Sequence, residues 1–490
     1  MRPSSTFSHP LDEIANFLGL NQALGAVSVT GITSNSKDVK PGDVFVALPG
    51  QRVHGLDFAT DAIAQGAVAI ISDRRDPHIS VPTLVISDPR GRLGELTSWF
   101  YGDPSRQVSI YGVTGTNGKT TTTYLLFQIW RASGISAGLV GTVGMQINDQ
   151  HFPALYTTPE ADELQAIFAT MVESGIKAIA MEVSSHALVQ RRVSGTHFQA
   201  GGFTNLTQDH LDFHQTMENY YQAKRSLFNK EFTDRSFITI DDDYGKRLAG
   251  ETTCSVATLS SINREGDWKY ESVNRDSTGS DVVIVGPAGV RITARFNLVG
   301  EHNLQNLLLA VALAFDSGVK PHAIENSIPH LMGAPGRLER LDLGQPFTVL
   351  VDYAHTPDAV ERALATARAL SPKKVIAILG CGGDRDRSKR AIMGRILNEG
   401  SDLPIFTSDN PRSEDPQSII DEMTSGLKLK AGAEVILDRR DAIMRAVSLA
   451  NEGDVVIVLG KGHETGQEIK GVKYPFSDQK VLREVLGERI

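Results

Sequence analysis

The stretch 108–132 leaves this chain the least freedom. An apolar run over 108–113 passes into the turn GVTGTNGKTTTT, residues 112–123, and then into a largely apolar segment ending near 132. Strand, glycine turn and helix in that order is the context a phosphate-binding loop needs. Glycines let backbone N–H groups close around phosphate oxygens, and a helix N-terminus adds partial positive charge. The spacing predicts a helix over 119–132, stopped by Gly134. Lys119 is then placed to reach terminal phosphates and Thr120 to hold Mg²⁺. The usual pattern has glycine five residues before Gly118, where this chain has Val113. An ordinary Gly-rich turn would explain the glycines alone, but not the Gly-Lys-Thr and the run of threonines opening the helix.

At 490 residues the chain exceeds one hydrophobic core, so about three domains are expected. The rhythm of apolar runs divides it. Residues 1–103 carry short runs at 44–48, 67–71 and 83–86 and a helical stretch at 91–100, a small α/β domain. Residues 104–335 add strands at 178–183 and 237–240 and a closing helix at 303–315. This is a central P-loop ATPase-like domain with a largely parallel sheet. The pattern breaks at Met332-Gly-Ala-Pro-Gly336. Residues 336–490 then alternate regularly, with strands at 348–352, 375–379, 405–408, 434–437 and 455–459. That reads as a Rossmann-like doubly wound domain whose ligands meet the loops after the strands. The fold class is α/β in three domains.

The net charge of −9 opposes a general affinity for nucleic acid. Two distant cysteines, Cys254 and Cys381, make no disulfide framework and fit a reducing compartment. The longest apolar run, 307–315, is under half of the roughly 20 residues a membrane helix needs. The N-terminus lacks the apolar core of a signal peptide. A cytoplasmic monomer, with no membrane or nucleic-acid partner, is expected.

Other polar groups invite chemistry with less specificity. Glu182 closes an apolar strand, where a buried carboxylate needs a partner such as Mg²⁺. A solvated strand end would serve equally. His210 and His214 stand i, i+4 and could share a helix face, but no third zinc ligand has convincing spacing. Nothing in the pattern around Lys224 marks it out from a solvated lysine. Asn303, near a helix start, is a candidate N-cap. GCGGDRD, residues 380–386, lacks the third glycine of a dinucleotide loop. It does present Arg385, whose planar fork suits a carboxylate. SDNPR at 408–412 and GKGHE at 460–464 follow the next strand and the last. Three charged loops thus leave one sheet edge, with the mix of cations and carboxylates that a zwitterionic amino acid requires. Capping and solvation are the plainer account of the same residues.

TGTNGKTTTT resembles the ATP loop of the Mur ligases, and the Val113 departure is that family's own form. MEVSSHALVQRRV, NLTQDHLDFH, YYQAKRSLF and DNPR are similar to further family motifs, in order, from about residue 30 to the C-terminus. The resemblance implies ATP contacts at Gly115, Thr116, Asn117, Gly118, Lys119, Thr120 and Thr121. It adds Asn303 and Asn306 on the adenine side, and Arg337 and Asp352, which meet ATP when the last domain closes. Magnesium would be held by Thr120, Glu182, His210 and Lys224, the lysine carrying a carbamate. Lys119, Lys224 and His210 would be catalytic. Ser34, Ser36, Thr157, Thr158, Ser184, Gln190 and Arg192 would bind a UDP-sugar peptide. Here Asn35 and Lys37 flank Ser36 where the family usually has Asp and Arg. Arg385, Asp409, Asn410, Pro411, Arg412, Gly460 and Glu464 would form a pocket for meso-diaminopimelate. The activity implied is ATP-dependent addition of that amino acid to UDP-N-acetylmuramoyl-L-alanyl-D-glutamate through an acyl phosphate. The alternatives are a lysine-adding or folate-extending relative, which Arg412 opposes. A non-catalytic scaffold is opposed by the presence together of Lys119, Glu182 and Lys224.

Overall fold

The structure is a computed structural model that describes every residue except 6, 22–23, 25–26, 51–52, 155, 263–264, 277, 371–372 and 488–490. Its apolar runs form three principal sheets, in chain order. In the first, Gly31–Thr33, Asp43–Val46, Ala69–Ser72 and Thr83–Val85 pair in parallel. The helix Pro89–Phe100 begins at Asp88, whose side chain accepts from the Gly91 N–H. It turns Leu93, Leu96 and Phe100 into a core shared with Ala161, Ala166 and Ala169 of the central unit.

The central sheet is built around Ser109–Thr114. Ala178–Glu182 and Ala200–Phe203 flank this strand in parallel, so their carboxyl ends converge beside the phosphate loop. Ala137–Gly141, Arg235–Thr239, Ser255–Ser260 and Trp268–Asp276 extend the parallel run. Both margins then reverse. Gly144–Ile147 and Gln150–Phe152 add antiparallel strands on one side, and Gly279–Gly286 and Val290–Phe296 on the other. The expected parallel sheet is therefore the middle of a wider mixed one.

The helix after the phosphate loop spans Lys119–Ala132, as its spacing predicts, and is followed by Gly134 with φ 78°. It packs beside Glu301–Asp316, burying Leu126, Trp130, Leu307 and Val311 between the sheet and the two helices.

In the third sheet the order is Glu339–Leu341, Thr348–Asp352, Val455–Leu459, Val375–Leu379, Leu403–Phe406, Glu434–Val435. All pairs are parallel except the first. Helices cover both faces and bury separate cores, one with Leu350, Leu379 and Phe406, the other with Val351, Ile378 and Ile405. The loops holding Asp352, Arg385, Asn410 and Gly460 leave the same, carboxyl end of this sheet. Among the described residues, no helix is long and apolar enough to cross a membrane.

Candidate active site

The phosphate loop is held by contacts among its own residues and those beside it. Gly118 adopts φ 88°, which a side chain would resist, and a Cβ there would also run into Asn306. The Lys119 ammonium donates to the carbonyls of Gly115 and Thr116, each at 2.9 Å. Thr120 Oγ1 donates to Glu182 Oε2 at 2.8 Å. The Thr142 N–H donates to the other carboxylate oxygen at 2.7 Å. Glu182 is 1% exposed, so its carboxyl group is enclosed at the strand end. Burial, helped by Arg337, holds the Lys119 amine below its ordinary range, against Glu182 and Asp209.

Lys224, indistinct in the sequence, is 1% exposed. It lies on the helix Met217–Arg225, donates to Gly115 O at 2.8 Å and rests 4.5 Å from the Tyr220 ring centre. Burial first, then the neighbouring Lys119, pushes its amine well below the ordinary lysine range. Two lysines thus share one carbonyl. His210 does not share a helix face with His214. It precedes the single turn Leu211–His214 with φ 53°, and both rings instead meet His186, at 4.8 and 5.5 Å between centres. Burial drives the His210 imidazole down to about 3, with Asp209 opposing.

Among the described residues, no group of three or more His, Cys, Asp or Glu side chains is arranged to hold a metal. The Thr120 hydroxyl and Glu182 carboxylate offer hard oxygens beside a phosphate loop. That donor set fits Mg²⁺, which keeps few protein ligands and takes the rest from phosphates and water.

The third unit stands closed on this loop. Asn117 Nδ2 donates to Asp358 Oδ2 at 2.8 Å, and Arg337 Nη2 to Thr120 Oγ1 at 3.4 Å. Arg337 lies 4.8 Å from the Tyr353 ring centre. Asp352 accepts the Leu338 and Ala354 N–H groups at 2.6 and 2.8 Å, and burial raises its carboxyl despite Arg337. Gly118, Thr121, Asn303, Asn306, Arg337 and Asp352 line one cavity between the units, together with Asn205. Asn303 is not the N-cap. Gly300 holds that position, and the Asn303 amide donates back to Val299 O at 2.8 Å.

The residues expected to bind the UDP-sugar form a chain of contacts from the first unit to Glu182. The Ser34 N–H and hydroxyl donate to Asp162 at 2.6 and 3.0 Å. Arg192 pairs with Glu160 at 2.9 Å and donates to Thr158 O at 3.0 Å. Thr158 Oγ1 donates to Glu182 O at 2.8 Å and accepts the Ser184 N–H. Thr157 meets Thr142 at 3.0 Å. Gln190 keeps a buried oxygen without a partner. Ser36 begins a short 3₁₀ turn capped by Asn35, away from this chain of contacts.

Most of the residues expected to bind the amino acid also assemble. Asn410 Nδ2 donates to Glu464 Oε2 at 2.8 Å. Arg412, at φ 52°, donates to Gly383 O at 2.7 Å and pairs loosely with Glu468. Pro411 O lies against Gly383, and Asp409 against Gly460. Arg385 is exposed and donates to the Asp384 carbonyl at 3.3 Å. Sequence reasoning passed over Asn205, whose side chain receives the Asn117 N–H at 3.0 Å, and Lys461, at the centre of the amino-acid cluster. Asn205 carried no signal beyond its polar motif, and Lys461 only its place between two glycines.

Family models match three stretches of the chain. They are "Mur ligase family, catalytic domain" over 28–101, "Mur ligase middle domain" over 113–314 and "Mur ligase, glutamate ligase domain" over 336–462. The UDP-N-acetylmuramoyl-L-alanyl-D-glutamate–2,6-diaminopimelate ligase of Streptomyces coelicolor is 45% identical, over 99% of this chain and 98% of its own. A solved structure of an enzyme of that name is 31% identical with TM-score 0.69, covering 100% of this chain and 99% of that one. MurF of Thermotoga maritima in complex with ADP, 18% identical, shares the fold with TM-score 0.66 over 94% of this chain and 98% of that one.

Proposed function

The chain belongs to the Mur ligase family, and from that premise we propose that it is the ATP-dependent ligase joining meso-2,6-diaminopimelate to UDP-N-acetylmuramoyl-L-alanyl-D-glutamate in peptidoglycan synthesis. The observation that carries the chemistry is the Thr120–Glu182 contact of 2.8 Å at the mouth of a loop whose lysine donates to the Gly115 and Thr116 carbonyls.

The loop N–H groups and Lys119 receive the β- and γ-phosphates of ATP, and Lys119 exchanges its carbonyl partners for phosphate oxygens. Thr120 and Glu182 would hold Mg²⁺, and His210 and a carbamate on Lys224 would add ligands. Mg²⁺ would supply charge neutralisation on the transferring phosphoryl group. The low-lying amine of Lys224 suits carbamate formation, because only a neutral amine attacks carbon dioxide. Asn303 and Asn306 face the base, and Asp352 and Arg337 close over the nucleotide from the third unit. Ser34, Thr157, Thr158, Ser184, Gln190 and Arg192, with Ser36 from the turn beside Ser34, position the UDP-sugar peptide so that its D-glutamyl γ-carboxylate meets the γ-phosphate.

A carboxylate oxygen forms a bond to phosphorus as the bond to ADP breaks, giving an acyl phosphate. The amine of the incoming amino acid then attacks the acyl carbon. An amide forms, the carbon–oxygen bond to phosphate breaks, and phosphate departs. Arg385, Asp409, Asn410, Pro411, Arg412, Gly460 and Glu464 present that amine. Arg412 pairs with the carboxylate at the far end of diaminopimelate, which lysine lacks. The units divide this labour as 1–103 for the UDP moiety, 104–335 for ATP and 336–490 for the amino acid.

A phosphate-release assay tests the proposal. Release should require ATP, Mg²⁺, UDP-muramoyl dipeptide and diaminopimelate together, and lysine should not substitute. Release with lysine alone would make this a lysine-adding enzyme, and no amino-acid-dependent release would remove the ligase reading.

A further inference from the structure

Lys461 is the most completely enclosed cation in the amino-acid cluster, at 0% exposure. It sits between Gly460, at φ 110°, and Gly462, at φ 51°. A Cβ on either glycine would strike Asp409 or Tyr353, so the chain can turn here only around bare backbone. That turn sends the lysine inward against the loop that carries Asp409 and Asn410.

Its ammonium donates to Asn410 Oδ1 and Glu464 Oε2, each at 2.9 Å, and lies 3.8 Å from Asp409 Oδ1 as a looser ion pair. Asn410 Oδ1 also takes the Glu468 N–H at 2.9 Å, which fills its two lone pairs. The amide is thereby fixed with its NH₂ toward Glu464 and the pocket. One of those N–H groups donates to Glu464 Oε2, which Lys461 also reaches. Arg412 spends Nη1 on Gly383 O and turns Nε toward Glu468. Among the described residues, the second Asn410 N–H, Glu464 Oε1 and Arg412 Nη2 make no hydrogen bond. The open valences are thus two donors and one anionic acceptor, the complement of a carboxylate beside an ammonium.

We propose that Lys461 is the positioning residue for amino-acid recognition, locking the Asn410 amide in one orientation and reserving Glu464 Oε1 for the amino group of the incoming substrate. It does not touch the substrate itself. This rests on the ligase reading above. Burial would raise the Glu464 carboxyl, but Lys461 and Asn410 together hold it below the ordinary range, so the carboxylate is ionised when the substrate arrives. Without the lysine, Asn410 Oδ1 loses one of the two donors that orient the amide, and Asp409 loses a neighbouring cation.

The test is Lys461→Met in the full-length enzyme, read by phosphate release. The KM for diaminopimelate should rise about tenfold or more, since a buried hydrogen bond to a charged group is removed. The KM values for ATP and for UDP-muramoyl dipeptide should stay within about twofold, because no contact from Lys461 reaches either site. Combined with Asn410→Ala, the second substitution should add little, because the two act as a unit. Lys461→Gln keeps a donor and serves if the methionine variant does not fold. Its KM rise should be smaller but confined to the same substrate. An unchanged diaminopimelate KM, equal loss on all three substrates, or full additivity in the double variant would overturn the role. Absence of diaminopimelate-dependent release by the unmodified enzyme would instead overturn the ligase reading.

Discussion

The phosphate loop and the amino-acid cluster both hang from the carboxyl ends of parallel strands, but they are finished in opposite ways. At the phosphate loop, two buried lysines donate to the same Gly115 carbonyl, and Glu182 leans on two threonines. Its charges are held close by weak local partners that a triphosphate and a cation would replace. At the amino-acid cluster the charges already satisfy one another through Lys461, Asn410 and Glu464, leaving a few open valences. The first region is built to exchange partners and the second to hold still. Damage to the first should therefore stop turnover, whereas damage to the second should weaken one substrate selectively.

The contrast is broken most directly at Lys119. Lys119→Ala should lower phosphate release about 10²–10³-fold at saturating amino acid, as expected when a donor to developing charge is lost. A loss appearing only in the diaminopimelate KM would erase the distinction. Arg412→Ala should do the reverse. The diaminopimelate KM should rise about 10- to 100-fold, from loss of a charge-assisted pair, with ATP affinity by calorimetry unchanged. Glu182→Gln should raise the Mg²⁺ concentration needed for half-maximal release by about tenfold, and the titration of rate against Mg²⁺ shows it.

The stillness of the amino-acid cluster has a measurable foundation. Arg439 and Asp478, both fully enclosed, pair at 2.7 Å, and Arg439 also donates to Leu459 O at 2.9 Å and Ser408 O at 3.4 Å. It ties together the two strand ends that carry Gly460 and Asp409. Asp478→Asn leaves that guanidinium buried and under-compensated, which should lower unfolding stability by about 3–5 kcal/mol in denaturant titration. The smallest effect is at the rim. Arg390, 1% exposed in its side chain, holds the Glu414 carboxyl down to about 2, assisted by the Asp384 N–H. The folded value lies below the unfolded one, so this contribution is present above about pH 4.5 and fades as pH falls toward 2. Glu414→Gln should lower the melting temperature slightly at pH 7 and not at pH 2.5.

Three strands of the third sheet were legible to the residue, because strands buried on both faces read as unbroken Val/Ile runs, whereas the strand expected at 405–408 lies at Leu403–Phe406 and the one expected at 434–437 stops at Val435. Thr348–Asp352, Val375–Leu379 and Val455–Leu459 have the bounds the sequence predicts. The antiparallel margin of the central sheet went unread. Trp268–Asp276 exposes most of its second half and carries no apolar run, so only pairing with its neighbours defines it. The same limit applies within the site. The loop helix follows from local spacing, but the convergence of His210 and His214 on His186 depends on a segment outside their own helix. Lys461 looks like a solvated lysine until Asp409 and Asn410, some fifty residues earlier, fold over it. Local patterns reveal elements, whereas enclosure of a polar side chain is decided by distant partners.

The central claim is that the Thr120–Glu182 corner and Lys119 bind a nucleoside triphosphate together with magnesium. Titration calorimetry of the full-length protein with ATP, with and without Mg²⁺, tests it most directly. The account predicts saturable binding that requires Mg²⁺ and disappears in Lys119→Ala. ATP affinity that is absent, or indifferent to both the cation and the lysine, would contradict it.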